Sequence, residues 1–249
     1  MRTHTSSFKT EIAKLGRQQS AEITYTIDDE EITLTNEDLI SITYTSNGAL
    51  LKSVMQCAEI ETYNEIPVGT ELSFKWGIKV NNSIEYLSFS NFIVKEVEKQ
   101  EDGNTYLMRC YDYLLKSMVD YESMSITYPI SIRDYISTIC THLGLTFANS
   151  SDDFANYDKE ILNEPYLDSE GNTLGYTFRD VLDELAEVTA SCICINKDNE
   201  LEIRYINETN DTIDGNYLKD INVNFGEKYG AINVIVLSRS ADSDKIYYP

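Results

Sequence analysis

Thr177-Phe178-Arg179-Asp180-Val181-Leu182-Asp183-Glu184-Leu185-Ala186, running on to Val188 and then into Ser191-Cys192-Ile193-Cys194-Ile195-Asn196-Lys197-Asp198-Asn199-Glu200-Leu201-Glu202-Ile203, is the stretch whose reading decides the fold. Phe178, Leu182, Leu185 and Val188 recur at helical spacing, while Thr177 can cap the first free amides and Asp180 falls in the first turn, where the helix dipole favours negative charge. Ser191 to Ile195 and Glu200 to Ile206 then flank Asn196-Lys197-Asp198-Asn199, which has the residues of a tight hairpin turn. The segment therefore reads as a helix packed on a hairpin.

The same design occurs once more upstream. Ser131-Ile132-Arg133-Asp134 opens a helix with Ile132, Ile136, Ile139 and Leu143 on one face, ending near Gly144 and followed by the short apolar run Leu145-Thr146-Phe147. Residues 118–207 thus form an α/β region with a duplicated helix and strand arrangement.

Before it the periodicity is two. Ile23, Tyr25 and Ile27, then Ile32 and Leu34, then Ile40, Ile42 and Tyr44 alternate with Thr, Ser and Glu. Turn residues stand at Asp28-Asp29, Asn36-Glu37-Asp38 and Asn47-Gly48, and further strands are expected at 58–63, 71–80, 85–98 and 105–113. About seven short strands at this spacing predict an antiparallel barrel or sandwich over residues 20–117. Residues 1–19 form an arm, with Phe8, Ile12 and Leu15 at helical intervals and Gly16 as a stop, suited to docking on a neighbour. Asn207 to Gly215 reads as a linker, and strands at 221–225 and 231–238 begin a further domain over 216–249 that this sequence leaves incomplete. The expected class is mixed α+β and β-rich.

The chain has 249 residues, 42% hydrophobic and 25% charged, a balance that can bury a core in two or three compact units. Its formal charge of -22 opposes tight binding to phosphate backbones. The first seven residues lack the apolar core of a signal peptide, and no stretch approaches the roughly 18 apolar residues of a membrane span, so synthesis in the cytoplasm is expected. Five cysteines, at 57, 110, 140, 192 and 194, have no CxxC spacing and read as reduced, small apolar residues.

Chemistry-bearing motifs are scarce. The two histidines, His4 and His142, cannot build an HExxH pair or a histidine metal cluster, and the common hydrolase, nucleotide and dinucleotide signatures are missing. Asp168-Ser169-Glu170-Gly171-Asn172 starts like a calcium loop, yet Thr173 stands where that loop needs Gly and Arg179 where it needs Glu, so it reads as a turn. Asp152-Asp153 and Asp183-Glu184 are paired carboxylates that, in a chain with 42 acidic residues, read as solvated faces. The 18 tyrosines alternate with Thr and Ile, which favours core edges and subunit contacts. No catalytic, cofactor-binding or metal-binding residue is assigned, and no enzyme activity is expected.

Residues Gly175 to Ala186 with Cys192 to Ile203 resemble phage tail hub proteins, whose pattern is a helix opened by Thr, Arg and Asp, then a hairpin with an acidic or Asn turn and a Leu-x-Ile strand. The helix at Ser131 to Gly144 resembles the corresponding earlier one. The arm from Phe8 to Gln18 and the phrase Leu34-Thr35-Asn36-Glu37-Asp38-Leu39-Ile40-Ser41-Ile42 look like the N-terminal barrel of tail-associated proteins of phages and prophages of Gram-positive bacteria. The likeness runs along most of the chain, on structural rather than catalytic motifs. It implies a virion protein of the tail tip, a baseplate hub of the kind shared with type VI secretion spikes. Three copies close a ring there, joined to the tail tube and distal baseplate proteins, and DNA passes through the lumen. Two readings of other classes remain: a cell-wall-acting hydrolase built on clustered carboxylates, and a carbohydrate-binding module using exposed tyrosines.

Overall fold

A computed structural model describes residues 5–14, 18–46, 51–101, 103–149, 154–167, 170, 174–205, 235–237 and 246–248. The chain divides at Asn207 into two compact units.

The first unit begins with α1 (Ser6–Ile12) and continues through β1 (Gln19–Ile27), β2 (Glu30–Leu34), β3 (Leu39–Ser46), β4 (Ser53–Val54), β5 (Gln56–Thr62), β6 (Glu71–Val80), β7 (Ser83–Ser88), β8 (Phe92–Lys99) and β9 (Tyr106–Asp112). All but β4 form one eight-stranded antiparallel sheet in the order β2-β1-β6-β8-β9-β5-β3, with β7 beside β6. Alternation does what period two requires: along β5, Ala58 and Ile60 point inward while Glu59 and Glu61 lie on the other face. Ile23, Tyr25, Leu72, Phe74, Phe92 and Met108 meet the same two residues in a single core.

The expected turns are present. Asp28 and Asp29 both take positive φ, 51° and 66°, as a two-residue hairpin between β1 and β2 demands. At Asn36-Glu37-Asp38 the Asp38 carboxylate accepts the Thr35 amide at 2.9 Å. Asn47-Gly48 lies outside the described residues. The strand expected over 85–98 is instead two, broken at Phe89-Ser90-Asn91. Strand β6 pairs through its C-terminal half with β7 and through Glu71 and Leu72 with β8, so the chain must cross from one half of β6 to the other. The end strands β2 and β3 are consecutive in sequence, yet no ladder joins them among the described residues.

The arm packs on the sheet of its own chain. Phe8, 1% exposed, packs edge-on to Trp76 at 6.3 Å and beside Ile78 and Val80. Thr5 caps the helix by accepting the Phe8 amide, and its own amide and hydroxyl donate to the Glu85 carboxylate at 2.9 and 2.7 Å. The helix stops at Ile12, and Gly16 lies outside the described residues.

Beyond a 3-10 turn at Tyr113–Met118 come β10 (Ile130–Ser131), α2 (Ile132–His142), β11 (Thr146–Phe147), β12 (Glu160–Ile161), α3 (Phe178–Val188), β13 (Ser191–Ile195) and β14 (Glu200–Tyr205). A four-stranded sheet runs β11-β14-β13-β4, antiparallel in the β13–β14 hairpin and parallel at both flanks. Both helix starts form as expected. Thr177 and Asp180 make a full capping box on α3. On α2 the Ser131 hydroxyl accepts the Asp134 amide at 3.1 Å, while the Asp134 carboxylate takes two bonds from Arg133. Ile132, Ile136, Ile139, Phe178, Leu182 and Leu185 are buried in one cluster with Tyr121 and Tyr135. Val188, expected on the apolar face, is 50% exposed, and Val181 and Ala186 turn inward instead.

The polar run Asn207 to Gly215 and the strand expected at 221–225 lie outside the described residues. In the second unit an antiparallel pair joins β15 (Ile235–Leu237) and β16 (Ile246–Tyr248). The first lies within the strand expected at 231–238.

The two helices end differently. After α2, Gly144 sits at φ +63° with open space where a Cβ would stand, and Leu145 donates to the Cys140 carbonyl at 2.7 Å. After α3 the left-handed position is Ala190, at φ 49°. Ala190→Gly is therefore expected to stabilise the protein by about 1 kcal/mol and Gly144→Ala to destabilise it by a similar amount. Urea unfolding followed by circular dichroism checks both signs.

Candidate functional site

Charged and polar groups converge where the second layer meets the large sheet. At the end of β9, Asp112 is fully buried; its two oxygens accept the amides of Gln56 at 2.9 Å and Leu114 at 3.0 Å. Gln56 also donates from Nε2 to the Ile195 carbonyl at 2.9 Å and accepts the Tyr44 hydroxyl at 2.5 Å, so one side chain ties together β3, β5 and β13. Two residues upstream, β4 is held by α3. The Asp183 carboxylate accepts the Ser53 amide at 2.8 Å and its hydroxyl as well, and Arg179 donates to the Ser53 carbonyl while its Nε lies 3.6 Å from Asp183. Burial lowers the Arg179 pKa, against the pull of Asp183, Asp112 and Asp180.

Beside this junction lies a cleft of about 600 Å³, lined from the sheet side by Tyr44, Ser46, Gln56 and Ser90 and from the hairpin side by residues 195–198, Glu202 and Arg204. Its charges pair locally: Lys197 with Asp198 at 2.7 Å and Arg204 with Glu202 at 3.0 Å.

A second polar network lies within the helical layer. The Glu164 carboxylate accepts the hydroxyls of Tyr121 at 2.8 Å and Tyr128 at 2.7 Å, and the Tyr121 and Tyr135 hydroxyls are 3.0 Å apart. Tyr166 donates to Glu184 at 3.0 Å. Burial, first of all, raises the pKa of Tyr121, Tyr128, Tyr135 and Tyr166, so these groups stay protonated donors.

Of the pair Asp183-Glu184, Asp183 is half-buried at the junction, while Glu184 lies exposed as expected of a solvated face. Adjacent helix positions point apart, and one carboxylate serves β4 while the other serves Tyr166. His142 has its Nε2 3.0 Å from Glu122 and its ring against Phe178 at 5.0 Å. Burial pushes the Cys110, Cys140 and Cys194 thiols up to about 12, away from the thiolate that a nucleophile needs. Asp152-Asp153 and most of the loop from Asp168 to Thr173 lie outside the described residues. Among the described residues no three His, Cys, Asp or Glu side chains gather to hold a metal, and no helix is long and apolar enough to cross a membrane.

The sequence placed Arg179 at a helix start, while Asp112 fell unremarked within the strand expected at 105–113. The one available signal for the junction was Asp112 itself, a carboxylate at the end of a strand and just before Tyr113-Leu114-Leu115, where it caps the 3-10 turn.

No protein-family model matches the chain, and no curated protein does. Among solved structures it is similar to the 43 kDa tail protein of prophage MuSo2 from Shewanella oneidensis, at 12% identity and a TM-score of 0.48, over 74% of this chain and 54% of that one. It is also similar to a prophage tail protein from Listeria monocytogenes EGD-e, at 10% identity and 0.49, over 75% and 50%. A tail protein from Neisseria meningitidis MC58 matches at 12% identity and 0.45, over 74% and 50%. The chain thus spans about half the length of each of these solved proteins.

Burial pushes the Asp112 carboxyl up to about 6, against the Gln56 and Leu114 amides and the Arg179 charge, which pull it down. Between about pH 4 and 6 the folded chain keeps a proton that the unfolded chain has released. The stability this contributes is fully present below about pH 4 and is lost as the pH rises through 6, a change of about 3 kcal/mol. The stability gap between the native protein and Asp112→Asn is expected to narrow by that amount from pH 4 to 7 in urea titrations. A gap independent of pH contradicts the assignment.

Proposed function

We propose that the chain is a structural subunit of a phage or prophage tail, acting in the virion at the baseplate hub, where three copies close a ring that joins the tail tube to the tip. The observation that carries this reading is the paired helix and strand design: α2 leads into β11 and α3 into β13, and β11 and β13 flank β14 in one sheet over one core. That is the arrangement on which the resemblance to tail hubs rests. In this reading the open sheet of β1 to β9 acts as the N-terminal barrel, residues 216–249 begin the second one, and the two alternate around the ring. A charge of -22 suits a lumen along which DNA slides without being held. The role is assembly rather than catalysis, and its partners are further copies, the tail tube and distal baseplate proteins.

The junction supports such a role physically. A subunit that transmits load between a tube and a tip needs its layers tied, and Gln56, Asp112, Arg179 and Asp183 tie β3, β4, β5, β9, β13 and α3. Light scattering of the full chain is expected to give a mass that is a multiple of three copies. A monomer at every concentration contradicts the ring.

A further inference from the structure

The cleft beside the junction contains polar groups that its own walls leave unmatched. At about 600 Å³ it falls within the roughly 300–1,000 Å³ of small-ligand sites. Apart from Ile195 and the Tyr44 ring, its lining side chains among the described residues are hydroxyls, carboxamides and charged groups. The chain carries 42 acidic residues against 20 basic ones, yet this lining holds two of each: Asp198 and Glu202, Lys197 and Arg204. Ser90 enters the cleft from the segment between β7 and β8. It is 2% exposed, and its hydroxyl has no hydrogen-bond partner among the described residues. Buried hydroxyls are nearly always paired, so an orphan lining a cleft points to a bound group. The Arg204 pair is also half used. Its Nε and Nη2 both meet Oε2 of Glu202 at 3.0 Å, which leaves Oε1 as an acceptor and Nη1 as a donor without partners among the described residues.

We propose that this cleft binds a short, neutral saccharide. A hydroxyl both donates and accepts, so adjacent sugar hydroxyls suit an acceptor beside a donor: one gives its hydrogen to Glu202 Oε1 and the next accepts from Arg204 Nη1. A further hydroxyl partners Ser90. The balanced charge selects against ions, because an anion meets Asp198 and Glu202 and a cation meets Lys197 and Arg204. An apolar ligand would strip water from both charge pairs and return no hydrogen bonds. A peptide strand finds its backbone partners taken. The Ile195 carbonyl accepts from Gln56, the Asn196 amide donates to the Glu200 carbonyl, and both backbone groups of Ile203 bond the Asn149 carboxamide, at 2.6 and 3.0 Å. What stays unmet belongs to side chains. The assignment rests on the cleft alone, and the number of copies in an assembly does not bear on it.

The test titrates the full chain with the neutral disaccharides maltose, cellobiose, lactose and N,N′-diacetylchitobiose, read by saturation-transfer NMR and calorimetry. Binding of at least one is expected, weakened about fivefold to tenfold by Ser90→Ala, the worth of one hydrogen bond, and by a similar factor by Glu202→Gln. Because the Ser90 hydroxyl holds no bond within the chain, Ser90→Ala is expected to keep the native urea midpoint. A marked fall in that midpoint reveals an internal partner and overturns the assignment. Failure of every disaccharide to bind overturns it, and a triserine peptide binding in their place shows a polypeptide site instead. Binding that neither substitution weakens puts the sugar elsewhere and also overturns it. Tighter binding of glucuronate or glucosamine than of glucose overturns the neutral class. Should either variant not fold, the native chain decides: the amides of Ser90 and of 195–204 shift on adding the sugar if the cleft holds it, and stay in place if it does not.

Discussion

Everything in the first unit hangs on a carboxylate out of water. Asp112 ends the last strand of the large sheet with no exposed surface, and a buried charge of that kind is tolerated only when donors surround it. Two amides do so, one from the start of β5 and one from the turn that leads into the helical layer. The geometry that satisfies Asp112 also fixes Gln56, whose side chain reaches the Ile195 carbonyl on β13. A few ångströms away Arg179 and Asp183 grip Ser53 from the first turns of α3, so the two-residue strand β4 is drawn into the second sheet. The large sheet and the helical layer each have their own hydrophobic core, and this polar seam couples them.

Such a seam favours specificity more than bulk stability. Hydrophobic burial would hold two layers together in many relative positions, whereas hydrogen bonds from single backbone groups permit one.

The local features were legible because local chemistry causes them. Thr177 and Asp180 cap α3, Ser131 caps α2, Asp28 and Asp29 take the left-handed turn, and Asn196 to Asn199 close the β13–β14 hairpin with the Asn196 carboxamide accepting two amides. What periodicity does not encode is which strand meets which. Phe92 and Val94 recur at period two as Ile84 and Tyr86 do, so nothing in the pattern announced that the chain would leave β6 at one half and return at the other. Ser53 and Val54 are too few to show any period, and the Ser53 carbonyl that Arg179 binds lies 126 residues away in sequence. The docking of Phe8 was hidden for the same reason: its apolar receptor is Trp76, Ile78 and Val80, nearly seventy residues on.

The proposed role joins two parts: a polar seam that sets layer geometry, and a formal charge of -22 that opposes tight binding to phosphate backbones. Its central claim is that the chain works by assembling. Electron microscopy of the full chain tests that most directly. Class averages showing a ring with three-fold rotational symmetry around a central opening are the result expected, and single compact particles without rotational symmetry would contradict the account.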